Sequence, residues 1–139
     1  MVNDFIDCLR SGMIKSYSAS KEEIIKELGQ SDNDLVRAKE TIKAGDHKWS
    51  TIQAYYSMFH AARAVLLSTG YREKSHKCML FFLESLVDEG RLEPHFAREF
   101  RSAMFLREDA DYEATYSEQS ARDTVENASL FIVRMKNLL

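Results

Sequence analysis

The chain has 139 residues, 45% of them hydrophobic, 11% aromatic and 29% charged, and a formal net charge of −3. That length can bury roughly two thirds of the surface an unfolded chain exposes, so one domain over residues 1–139 is expected without any staple. The slight acidity excludes a protein that coats nucleic acid through bulk electrostatics, and leaves room only for local contact with RNA or nucleotide.

No apolar run approaches the ~18 residues of a membrane span, and MVNDFIDCLRSG has neither the basic start nor the small-residue cleavage site of a secretory signal. A cytoplasmic protein without membrane association is expected. Cys8 and Cys78 stand alone without CxxC spacing, which predicts free reduced thiols and no zinc site.

Apolar residues recur three and four apart in every long segment, and one proline with five glycines leaves few breaks. The pattern predicts an all-α, up-and-down bundle of four to five main helices with no strand, preceded by a short helix within MVNDFIDCLRSGMI. The first main helix opens at Ser20, where SKEE forms a capping box with Glu23. Its inner stripe runs Ile24, Leu28, Leu35, Ala38 and Ile42 toward Gly45, and Gly29 weakens its middle by about 1 kcal/mol. The second covers about Thr51 to Ser68, with Ile52, Tyr55, Tyr56, Phe59, Ala62 and Leu66 inward and Gly70 as its stop. The third, about Ser75 to Asp88, buries Met79, Leu83, Leu86 and Val87. The fourth starts at Pro94, suited to a first helical position, and carries Phe96, Phe100, Ala103 and Met104. The fifth runs from about Ser117 with Ala121, Val125, Ala128, Ile132, Met135 and Leu139 inward. Short connections favour antiparallel neighbours.

Two arginines interrupt this order. At 100° per residue, Arg107 falls within about 40° of Phe96, Phe100 and Ala103, and Arg63 within about 40° of Ile52, Tyr56 and Phe59. Both therefore point inward, where an unpaired guanidinium costs several kcal/mol. Partners within reach include Asp111, one turn beyond Arg107, with Asp109, Tyr112 and Tyr116 nearby, and His76 in the basic stretch YREKSHKC. One reading is an internal salt bridge, Arg63 or Arg107 with Asp111, that fixes the register of the bundle. The other is a polar cleft between the second and fourth main helices that holds an anion or a base, with His60 one turn after Tyr56. Tyr55, Tyr56 and Phe59 continue an apolar stripe and read as core. His95, and Arg91, Arg98 and Arg101 with Glu93 and Glu99, read as a solvated face. The four histidines lack the paired one-turn spacing of a zinc helix, so no metal and no cofactor is expected.

AYYSMFHAARAVLLSTGYREKSHKC followed by LREDADY resembles the HEPN (higher eukaryotes and prokaryotes nucleotide-binding) domain family over about residues 15 to 137. The resemblance implies a four- or five-helix bundle, a homodimer, and pairing with a minimal nucleotidyltransferase in toxin and antitoxin operons. Many toxins of the family are metal-independent ribonucleases with an arginine and a histidine separated by four to six intervening residues. Arg107 matches that arginine, whereas Tyr112, Glu113 and Ala114 occupy the three positions of the histidine, so the motif is incomplete. A tyrosine with a pKa near ~10 is a poor base, and Asp111 would repel a phosphate. The implied groove comprises Tyr56, His60, Arg63, His76, Arg107, Asp111 and Tyr112. Two functions follow: a nucleotide- or RNA-binding regulatory module that acts with a nucleotidyltransferase, or an endoribonuclease in which Arg107 steadies the phosphate and His60 or His76 replaces the missing histidine.

Overall fold

The computed structural model describes residues 2–110 and 117–139, and at positions 109 and 110 the backbone alone. Capping side chains set where its helices begin. Asp4 caps the short α1 (Phe5–Arg10). Ser20 and Glu23 form the expected capping box on α2 (Lys21–Lys43). Asp46 accepts the Trp49 N–H at the start of α3 (His47–Ser68). Ser75 caps α4 (His76–Asp88), Pro94 opens α5 (Pro94–Ala110), and Ser117 caps α6 (Glu118–Leu138). The five main helices and the short first one match the sequence reading. The start of α3 lies a turn earlier than expected, because its polar first turn, HKWS, adds nothing to the apolar stripe.

Helix α3 is the centre of the bundle: 13 of its 22 residues are buried, on all sides, and α2, α4, α5 and α6 pack around it. Tyr55, Met58, Phe59, Val65 and Leu66 meet Phe100 and Met104 of α5, Met79 and Leu83 of α4, and Phe131 and Met135 of α6 in one apolar cluster. Ile24, Leu28, Leu35 and Ile42 of α2 are only half buried; Ala38 and Ser31 are its fully buried residues, and the Ser31 hydroxyl donates to the Ser57 carbonyl at 2.6 Å. Small side chains let α2 and α3 come together there. Leu139, expected inward, is exposed, since it lies beyond the last helical turn.

Two expectations are corrected. The described residues contain a pair of three-residue antiparallel strands, β1 (Ile14–Ser16) and β2 (Tyr71–Glu73), with Ile14 opposite Glu73 and Lys15 opposite Arg72. Gly12 and Gly70, both at positive φ, turn the chain into these strands after α1 and α3. Segments this short show no alternation that a sequence could reveal. The two cysteines are not free thiols: Cys8 and Cys78 form a disulfide, with their Cα atoms 5.9 Å apart. Helix α1 packs on α4, which brings together two cysteines that sit 70 positions apart.

Candidate functional site

One face of α3 presents Tyr56, Phe59, His60 and Arg63 to its neighbours, and two polar clusters form along it. In the first, Arg107 of α5 reaches α3, and its Nη2 donates to Tyr56 Oη at 2.9 Å. The guanidinium carbon lies 5.4 Å from the Tyr56 ring centre and 5.9 Å from that of Tyr55. His76, the first residue of α4, lies 2.6 Å from Tyr55 Oη through Nδ1 and stacks on Phe59 at 4.2 Å. Among the described residues the partners of Arg107 are neutral, and its charge is held by phenol oxygen and ring faces.

Burial pushes the Tyr55 phenol far above the ordinary tyrosine range, so it stays protonated at any ordinary pH. Fully buried, it hydrogen-bonds His76 Nδ1; with the phenol as donor, the imidazole proton lies on Nε2. Burial, and after it the Arg107 charge, holds His76 below the usual histidine value. The neutral form of His76 is therefore favoured, beside a permanent cation.

The second cluster is an ion-pair network. Arg63 donates from Nε and Nη2 to both carboxylate oxygens of Glu73, at 2.8 and 3.2 Å, and from Nη1 to Glu27 at 3.4 Å. Glu27 also pairs with His60 Nδ1 at 2.6 Å, and Asp34 stands 3.8 Å from His60 Nε2. Burial works against the ionised Glu27 carboxylate, but the His60 hydrogen bond and the Arg63 charge outweigh it and hold its pKa low. Burial likewise works against the Arg63 cation, and the bond to Glu73 outweighs it, so its pKa rises. The Arg63 guanidinium also lies 4.7 Å from the Phe59 ring centre, so that ring touches both clusters.

Of the residues singled out in the sequence, Tyr56, His76 and Arg107 come together. Arg63 is inward as expected, and among the described residues its ion-pair partners are Glu73 and Glu27, on β2 and α2. His60 belongs to that network, turned toward α2. Asp111, Tyr112 and Tyr116, with the side chain of Asp109, lie outside the described residues. Glu27, Glu73 and the bond between Tyr55 and His76 were missed; Glu73 sat within a stretch that reads as basic, and only the strand turns it inward. The readings of Tyr55 and Phe59 as core and of His95 as solvated hold, with His95 paired to Glu99 at 3.3 Å. No helix among the described residues is long and apolar enough to cross a membrane. These residues also contain no cluster of metal-ligating side chains.

A model of the HEPN domain matches residues 26–138, and the chain belongs to the HEPN domain family. A UPF0332 protein of Archaeoglobus fulgidus is 32% identical over 103 residues, 72% of this chain and 82% of its own. A Methanocaldococcus jannaschii protein named "Putative toxin MJ0605" is 29% identical over 121 residues, 86% of this chain and 90% of its own. The crystal structure of TT1696 from Thermus thermophilus shares the fold, with a TM-score of 0.73 over 84% of this chain and 98% of that one, at 15% identity.

Proposed function

We propose that this chain is a toxin-type HEPN module whose groove at Arg107, Tyr56 and His76 binds the phosphate of a nucleotide or RNA. It acts as a homodimer with a nucleotidyltransferase partner. The observation that carries the groove assignment is the Arg107 to Tyr56 contact at 2.9 Å. Tyr56 Oη accepts there, which leaves its own proton to donate, and among the described residues no other acceptor takes the remaining guanidinium N–H donors; together they suit a phosphate oxygen. The name carried by the M. jannaschii relative supports the toxin assignment. The test is fluorescence polarisation with labelled RNA and with adenine and guanine nucleotides. Arg107→Ala should weaken binding at least about ten-fold, by the loss of a charge-assisted contact; equal binding by the variant refutes the groove.

A second reading, cleavage of RNA, is favoured by His76. Its neutral imidazole next to Arg107 can accept a proton as a base, a role for which a tyrosine at the family histidine's position is poorly suited. Incubation with mixed RNA, beside Arg107→Ala and His76→Ala, tests it: intact RNA with the parent protein leaves binding alone.

A further inference from the structure

The β1 and β2 strands have two unlike faces. Ile14 and Glu73 point into the protein, and Glu73 is taken up by Arg63. On the other face Lys15 stands directly opposite Arg72, and Lys74 follows at the end of β2; all three are exposed. Cations paired across strands oppose each other and cost stability. The Lys15 ammonium beside Lys74 holds that amine below the ordinary lysine value. Arg72 lies 5.3 Å from the Tyr17 ring centre, near the Glu23 carboxylate that Tyr17 engages. The ribbon thus gathers like charge where folding alone would disperse it. The chain passes from Lys74 through Ser75 to His76, two residues and at most about 7 Å further on, at the edge of the Arg107 cluster. Lys77 follows, exposed, with its ammonium 5.8 Å from the Phe81 ring centre.

We infer that the outer face of this ribbon, Lys15, Arg72 and Lys74, holds the phosphate backbone of a single-stranded RNA that also places a phosphate at Arg107. The inference rests on the phosphate-binding reading of Arg107, which supplies the reason to choose RNA among polyanions. A one-sided row of exposed cations contacts backbone without reading sequence, and its affinity falls steeply with salt. A strand several nucleotides long can engage Arg107 and the whole ribbon together, so the surface favours an RNA strand over a single nucleotide.

The experiment measures binding of 3- and 12-nucleotide single-stranded RNA to the full chain over a range of salt. The parent protein should bind the longer RNA at least about ten-fold more tightly, and Lys15→Glu with Lys74→Glu should reduce that gain below about three-fold. The slope of log affinity against log salt should fall by about 1.4, for two lost phosphate contacts at ~0.7 each. The melting temperature should not fall, since Lys15→Glu places a carboxylate opposite Arg72; Lys15→Gln with Lys74→Gln serves if the reversal disturbs the fold. Lys39→Glu with Lys43→Glu on α2 makes the same change in net charge, and an equal loss there overturns the inference. So does an undiminished length gain in the ribbon variant, no binding of RNA, or binding to phosphatidylserine vesicles in place of RNA. If the ribbon variant keeps the gain while Arg107→Ala loses binding, the ribbon fails and the Arg107 reading survives. If the ribbon variant loses the gain while Arg107→Ala binds like the parent, the ribbon stands and the Arg107 reading fails.

Discussion

Tyr55 Oη and His76 Nδ1 meet at 2.6 Å where the phenol is fully buried, and this bond ties the imidazole of α4 to the centre of α3. With the phenol as donor, Nδ1 accepts and the imidazole proton lies on Nε2. Tyr55 is thereby more than a core residue on an apolar stripe: it sets the chemistry of the side chain that faces Arg107.

Tyr55→Phe should cost about 1 to 2 kcal/mol in urea denaturation, because Nδ1 is left inside without a donor. The same variant in a His76→Phe background should cost clearly less, since the stranded nitrogen is gone and the Phe59 stack is kept. Equal costs in the two backgrounds would show that the bond contributes nothing.

His76 also predicts a dependence of stability on pH. Its folded pKa is depressed by burial and by Arg107, so below the ordinary value of 6.5 the unfolded chain binds a proton that the folded one refuses. The contribution is complete above pH 6.5 and is lost as pH falls from there through the folded pKa. Denaturation midpoints of the parent protein should drop more between pH 7.5 and pH 5.5 than those of His76→Gln. Parallel curves would contradict the assignment.

Glu73→Ala should destabilise the chain by about 1.5 to 3 kcal/mol. It removes the bidentate partner of a half-buried guanidinium and leaves Arg63 with the longer contact to Glu27 alone. A double-mutant cycle with Arg63→Ala should give a coupling of about 1 kcal/mol or more; additive losses would mean the pair is screened by solvent.

Reduction of the Cys8 to Cys78 bond should lower stability by about 2 to 4 kcal/mol. A loop of some 70 residues corresponds to about 4 kcal/mol in the chain-entropy account, from which residual order in the reduced chain subtracts. Urea unfolding with and without a phosphine reductant measures this, and Cys8→Ala with Cys78→Ala should behave as the reduced protein does. An unchanged midpoint would show that the bond constrains nothing.

The helices were legible in the sequence because each announces itself locally: Ser20 with Glu23, Pro94, Ser117, and stripes such as Phe96, Phe100 and Ala103. The inward placement of Arg63 followed from the same geometry. Its partner did not, because Glu73 becomes an inward residue only once β2 pairs with a strand 57 positions earlier. The disulfide was hidden for the same reason: spacing along the chain says nothing of where α1 docks. Tyr55 read as core, and it is core, but no periodicity reports that its hydroxyl ends on a histidine from another helix.

The covalent link between Cys8 and Cys78 has a mechanical side. It closes a ring that contains all of α2 and α3, while most of α4, with α5 and α6, hangs outside it. Force applied at the two termini of the oxidised chain would pass across the sulfur bridge and never load the backbone inside the ring. Such a molecule could be drawn out to only about half the contour that 139 residues allow, at roughly 3.5 Å per residue. The central helix and the partner packed closest to it would be shielded from traction, even after α5 and α6 had been peeled away.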